Sequence, residues 1–344
     1  MRSRPPFFSS MRYSFRPDRR GIEVVAIAML LACGGQQDGP PKRVVIPAGS
    51  SFRATTDSLV SAGIISSPRL FRIYATVRRT DRGVKPGTYL LRPGTSWSTV
   101  LHSLNAGTGL VRTLTVPEGF SLAAIEPLIV RTLNVPAESV AAAVRDTALL
   151  RRLDIPTPTL EGYLFPDTYQ FSDGATARDV VKAMVEQFEA KWDPAWNERL
   201  AARPMTRHAA VTLASIIEKE ARLAEERPII SAVYHNRLRI NMPLQADPTV
   251  QYARGTHASR VTYKDLEIRS AYNTYQHPGL PPGPIASPGR PSIEAAIFPA
   301  DVPYRYFVAH PDGHHEFRVT FEEHKAARDK VRRAQQARAR AKTP

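Results

Sequence analysis

A single cysteine in 344 residues, Cys33, excludes an intramolecular disulfide framework and any cysteine-rich zinc or iron–sulfur centre. The leader lacks a span: its apolar run, Val24 to Ala32, falls short of the ~20 residues that cross a bilayer and fits the core of a secretory signal better. Also missing is a basic stripe with interleaved aromatics. The formal net charge is +15, but +4 of it lies in the first 33 residues and +7 from Lys325 onward, leaving +4 for the 291 residues between. That distribution argues against a nucleic-acid partner. With 42% hydrophobic and 23% charged residues the chain is globular, and its length suits about two domains.

The basic start of the leader, its short apolar run and Leu30-Leu31-Ala32-Cys33 resemble a bacterial lipobox, in which the cysteine is lipidated and becomes the new N-terminus. Met11 as the true start would give a leader of more usual length. The alternative is an ordinary signal peptide or a clipped membrane anchor that ends in cysteine by chance. In either case the bulk of the chain is exported, and Cys33 is no redox or catalytic thiol.

Residues 34–42 read as a polar linker. The segment 43–112 then reads as a small α/β domain: a strand at Arg43 to Ile46, helices at Ala54 to Ala62 and from Ser67-Pro68, a strand Gly87 to Leu91, and a helix capped by Thr95/Ser96 and stopped by Gly107. Its part from Gly87 to Gly107 resembles a LysM-like glycan-binding module, although a ligand-free α/β unit explains it as well. Residues 113–325 read as a mixed α+β domain with helices over 121–132, 137–152, 177–192, 208–224 and from Pro228, and 326–344 as a basic tail. The fold class is α+β.

The helix from His208 to Ala224 carries the sharpest signal. At 100° per residue Leu213, Ile216, Ile217, Ala221, Leu223 and Ala224 form one stripe, with Glu220 in its middle and Glu218 at its edge. Burying an unpaired carboxylate is costly, so Glu220 is either paired with Arg237 or Arg239, or held protonated as a general acid. From Met242 to Tyr252, Gln245, Asp247, Thr249 and Gln251 alternate with Leu244, Ala246, Pro248 and Val250, as in a half-buried strand or a sugar-binding cleft. Eight of the 30 prolines lie in 278–303, which reads as a stiff loop lining a site. His314-His315, in a turn between two strands, points its rings to opposite faces, so no metal site is expected.

Six ordered motifs together resemble the endolytic murein transglycosylases of the YceG-like group: Leu160-Glu-Gly-Tyr-Leu-Phe-Pro-Asp-Thr-Tyr169, Ala214-Ser-Ile-Ile-Glu-Lys-Glu220, Asn236-Arg-Leu238, Leu244-Gln-Ala-Asp-Pro-Thr-Val250, Tyr272-Asn-Thr-Tyr275 and Gly279 to Gly289. The resemblance spans about residues 44–325. It implies a lyase that cuts β-1,4 bonds between N-acetylmuramic acid and N-acetylglucosamine inside nascent glycan strands, leaves 1,6-anhydro ends and so ends strand elongation. It implies Glu220 as the catalytic acid, with Glu218 in reserve, and no cofactor. Substrate contacts are expected from Asn236, Gln245, Asp247, Thr249, Asn273 and Tyr275; Glu161 and Asp167 serve either the cleft or the turn. The implied partners are peptidoglycan strands, the membrane and cell-wall synthases, with the catalytic domain outside the inner membrane. Family members usually carry an N-terminal transmembrane helix, whereas here the anchor is the lipidated Cys33 or a short membrane segment. Two other readings stand beside the lyase: a muramidase using Glu220 and Asp247 as a pair at the ~5–9.5 Å separation of glycosidases, and a glycan-binding scaffold without activity.

Overall fold

The computed structural model describes residues 39–202, 205–255 and 261–341; the leader with Cys33 lies outside the described residues. The chain parts into two units between Val111 and Arg112.

In the first unit, strand β1 (Lys42–Ile46) pairs antiparallel with β2 (Gly87–Leu91), Val44 opposite Tyr89. Helices α1 (Phe52–Ser61) and α2 (Pro68–Val77) connect them, and α3 (Trp97–Ala106) follows. The helix ends follow local chemistry. Ser51 and Ser96 accept hydrogen bonds from the N–H groups of Ala54 and Thr99, and Gly107, left-handed at φ 80°, ends α3. Leu59, Phe71, Tyr89, Val100 and Leu104 fill the core. The Tyr89 hydroxyl, carried into that core, donates to the Lys85 carbonyl at 2.7 Å. The stretch read as LysM-like, Gly87 to Gly107, holds only β2 and α3 of this unit, and β2 is completed by β1.

The second unit opens with β3 (Val111–Thr115), which pairs with β4 (Thr168–Ser172). Between these strands lie α4 (Leu122–Leu133), α5 (Ala137–Ala143) and α6 (Thr147–Arg152). The single helix expected over 137–152 is therefore two, because the Asp146 side chain accepts from the N–H groups of Ala148 and Leu149 and starts a new helix. Next come α7 (Ala177–Lys191), α8 (Pro194–Ala201), α9 (Arg207–Glu220), α10 (Arg227–Arg239), α11 (Asp247–Arg254) and α12 (Arg290–Ile297). The antiparallel pair β5 (Tyr306–Ala309) and β6 (His315–Arg318) precedes the terminal α13 (Phe321–Ala341). No boundary falls at 325: Ala327 and Val331 of α13 are buried with Val308 of β5, so the basic segment begins inside a packed helix. Among the described residues no helix is long and apolar enough to cross a membrane.

At the centre of the second unit is α9, buried continuously from Ala210 to Ile217 and packed on α12. It has no single apolar stripe because it is covered on every side. The Pro-rich loop supplies part of that cover. The Ile285 N–H donates to the Ser215 hydroxyl at 3.0 Å and the Gly289 N–H to Glu218 at 2.9 Å. At the other end, His208 Nε2 meets the Pro282 carbonyl at 2.9 Å and Nδ1 meets the Tyr163 hydroxyl at 2.9 Å. A carbonyl only accepts, so Nε2 carries the proton and Nδ1 accepts from Tyr163. Positions 208, 215 and 218 thus hold 282, 285 and 289 in order, and the loop runs along the helix.

Gly162 fixes the other flank of this loop. Its φ is +83°, and a Cβ there would lie 2.3 Å from Pro284 Cβ. Gly162→Ala combines a left-handed backbone with overpacking, so it should cost about 2–4 kcal/mol of stability. Urea unfolding of the variant against the parent measures this.

Candidate active site

Helix α9 ends at Glu220, earlier than the 224 expected: Ala221 is extended (φ −69°, ψ 121°), and Ala224–Glu226 is a separate 3-10 turn. Ala221, Leu223 and Ala224 therefore do not continue a helical stripe. Glu220 is the last helical residue, where the negative end of the helix dipole disfavours a carboxylate. Its Oε1 accepts from the Tyr234 hydroxyl of α10 at 3.2 Å. Burial first, and the Asp247 carboxylate second, push Glu220 up to about 7, against smaller opposing effects of Tyr234 and Arg237.

The arginines do not neutralise Glu220. Arg237 donates to the carbonyls of Arg305 and Leu244, both at 2.6 Å, and stands over the Tyr306 ring; Arg239 bonds Asn236. Among the described residues neither arginine forms an ion pair with Glu220, so the pairing expected as one of the two readings is not formed.

The Met242–Tyr252 segment is not the strand expected. Gln245 is left-handed at φ 50°, and α11 begins at Asp247 with Pro248 in its first turn. The alternation is broken here, and the polar residues go to different places. Asp247 is exposed and accepts from the Tyr275 hydroxyl at 2.6 Å. Gln245 is exposed as well, its N–H held by the Thr274 carbonyl at 3.0 Å. Thr249 is fully buried, bonding the Ala246 carbonyl at 2.7 Å and Thr274 at 2.9 Å. Asn273, also fully buried, donates to the carbonyls of Leu266 and Ile268. Asn236 donates to the carbonyls of Val302 and Tyr304, both at 2.8 Å. Asn236, Thr249 and Asn273 therefore bond backbone and neighbouring side chains, while Asp247 and Tyr275 lie within electrostatic reach of Glu220 and Gln245 sits on the exposed turn before Asp247. Tyr234 was missed as a site residue; a tyrosine on a buried helix face needs a partner for its hydroxyl, and that was the available signal.

An acid at the end of a covered helix, flanked by a carboxylate and two tyrosines and roofed by a proline-rich loop, invites comparison with known proteins. The sequence profile described as the YceG-like family matches residues 44–330. The chain belongs to the YceG-like family. The endolytic murein transglycosylase of Bacillus subtilis (strain 168) is 37% identical over 301 residues, 83% of each chain. That of Streptococcus pneumoniae (strain D39) is 30% identical over 298 residues, 77% of this chain but 54% of the relative, so the chain spans about half of that protein. The crystal structure of a yceG-like protein from Listeria monocytogenes aligns with TM-score 0.59 at 34% identity, over 84% of this chain and all of that one.

Within this YceG-like unit the other acids have partners of their own. Glu218, two residues before Glu220 and thus about 200° around the helix, accepts from the Gly289 N–H and faces Arg227 at 3.7 Å, with its side chain only 7% exposed. It anchors the start of α12. Asp167 accepts from the Gln187 side chain at 2.6 Å and from Thr168 N–H, which assigns it to the turn before β4. Glu161 caps α4 by accepting from Leu122 N–H at 3.1 Å and takes a bond from the Tyr252 hydroxyl at 3.3 Å. Burial pushes it up to about 7 despite those donors. His315 is the first residue of β6 and is buried, its Nδ1 and N–H meeting Glu226 at 2.6 and 2.8 Å, while His314 bonds Asp312. Among the described residues no group of ligands could hold a metal.

Two outcomes follow from this division. Asn236→Ala should lower stability by about 1–2 kcal/mol, because two half-buried carbonyls lose their donor, while KM for glycan stays within twofold; thermal unfolding and kinetics separate the two. Glu161 binds its proton more tightly folded (about 7) than at its ordinary 4.5. The stability it contributes is intact below about pH 4.5 and is lost as pH rises towards 7, amounting to at most about 3 kcal/mol. Unfolding free energies at pH 5 and pH 8 should differ by less in Glu161→Gln than in the parent.

Proposed function

We propose that this chain is an endolytic lytic transglycosylase of peptidoglycan, a lyase that cuts inside nascent glycan strands and leaves 1,6-anhydro-muramic ends. The observation that carries the proposal is the Glu220 carboxyl, raised to about 7 by burial and Asp247, at the open end of α9. Such a group is protonated for part of the time near neutral pH, as a general acid must be.

Glu220 gives its proton to the glycosidic oxygen as the bond to the muramic anomeric carbon breaks. Positive charge grows on the anomeric carbon and ring oxygen, and the exposed Asp247 carboxylate, held by the Tyr275 hydroxyl, stabilises it. The 6-hydroxyl of the same muramic residue closes on the anomeric carbon, and Glu220, now a carboxylate, takes the hydroxyl proton. The acid is regenerated, no water is consumed, and no second nucleophile is required. Tyr234 steadies the Glu220 side chain throughout. The exposed Gln245 side chain gives hydrogen bonds to acetamido or hydroxyl groups of the strand, and Tyr275 meets a sugar face.

The catalytic unit works outside the cytoplasmic membrane, tethered through Cys33 after lipidation or through an N-terminal membrane segment. There it meets strands as synthases release them, and the small unit holds glycan in the manner of a LysM-like module.

Glu220→Gln should abolish anhydro-muropeptide formation from uncrosslinked glycan, by at least 10³-fold, with unchanged circular dichroism; Glu218→Gln should retain activity. Mass spectrometry of the products decides, since reducing ends in place of anhydro ends would mark a hydrolase. The parent rate should fall as pH rises through about 7, where Glu220 loses its proton.

A further inference from the structure

A cavity of about 420 Å³ is used by none of the steps above. Lys219, next to Glu220 in α9, and Pro248, next to Asp247 in α11, line it together with Gln251; Glu126 of α4 and Arg145 line it as well. The two helices that carry Glu220 and Asp247 therefore both contribute to the cavity. Its volume falls within the ~300–1,000 Å³ of ordinary ligand pockets.

Its charges lack counter-ions. Arg145 donates to the Ala141 carbonyl at 2.7 Å and Lys219 to the Gly119 carbonyl at 3.2 Å, both neutral acceptors. Among the described residues Glu126 has no hydrogen bond or ion pair, and it faces the buried Glu161 closely enough to disfavour that group's ionisation. Two free cations and a free carboxylate around one cavity suit a ligand with groups of both signs. A neutral acetamido sugar would desolvate all three without pairing any.

We propose that this cavity binds the stem peptide of the muramic residue being cleaved, its free amine on Glu126 and a free carboxylate on Arg145 and Lys219. This rests on the transglycosylase reading above, and it adds a selectivity. The muramic ring whose anomeric carbon reacts carries its peptide on the same ring, so a sugar seated at Glu220 delivers the peptide to a neighbouring cavity. A peptide whose amine has been consumed by cross-linking has no cation for Glu126, and such strands are poor substrates. The selection for nascent material is then chemical, made by the cavity.

The test has two arms. In the first, the full chain carrying Glu220→Gln is titrated by NMR with a soluble muramoyl peptide bearing a free amine, and with the same peptide N-acetylated. Binding of the free-amine probe should weaken roughly tenfold on acetylation, and by a similar factor in Glu126→Gln and in Arg145→Gln on that background. No binding, or equal binding throughout, overturns the proposal. In the second arm, cleavage rates are compared for peptide-bearing strands and strands stripped by an amidase. The parent should favour the former, and Glu126→Gln and Arg145→Gln should lower the ratio of the two rates. A parent ratio of one, or a ratio unmoved by the variants, also overturns it. Peptide binding without cleavage of either strand would instead sink the lyase and leave the cavity standing, so the two failures are distinct.

Discussion

Holding a carboxylic acid at the end of a helix that is buried on all sides is the constraint around which the second unit is arranged. A carboxyl in such a place keeps its proton to about neutral pH only if water is thinned around it and no cation forms an ion pair with it. Both conditions are met by cover: α10 brings Tyr234, α11 brings Asp247, and the proline-rich loop closes over the rest of α9. A loop does this well when it is stiff. Prolines remove backbone donors that would otherwise need partners, and the N–H groups that remain at Ile285 and Gly289 are given acceptors by the helix itself.

The two glutamates of the Glu-Lys-Glu motif show how spacing separates roles. Two residues apart on a helix they point to nearly opposite sides, so one can be structural while the other is free to react. Glu218 meets Arg227 and the start of α12. Lys219, between them, reaches across to the Gly119 carbonyl. The helix end is thereby tied to the turn after β3 and to α12, and Glu220 has, among the described residues, Tyr234 as its side-chain hydrogen-bond partner and the like charge of Asp247 nearby.

Local signals carried much of this into the sequence. Serine caps, Gly107 and the proline at the start of α2 are short-range chemistry, and the elements they bound fall where expected. Glu220 stood out because a charge at an apolar position is expensive whatever the fold. The errors came where tertiary contacts overrule pattern. No glycine or proline marks the end of α9, so periodicity ran on to 224. The alternation from Leu244 to Gln251 looked like a strand because nothing local announces the left-handed Gln245, which Thr274 holds from thirty residues away. Asn236, Thr249 and Asn273 are polar residues in ordered motifs, and sequence alone does not distinguish a side chain that binds sugar from one that binds a backbone carbonyl. His315 is the same case: its partner Glu226 is 89 positions distant.

Arg237 gives the clearest measure of how the site is balanced. A buried arginine within electrostatic reach of Glu220 would, as an ion pair, pull the carboxyl down and leave a permanent carboxylate with nothing to donate. Its guanidinium is instead directed to two backbone carbonyls, one of them Leu244, which leads into the left-handed turn that presents Asp247. The cation therefore shapes the loop that raises the acid instead of neutralising it, and its remaining pull on Glu220 is smaller than the opposing push from Asp247. An arginine that both fixes the position of the like charge and stays out of the pair explains why a site so rich in ionisable groups can still keep one of them protonated.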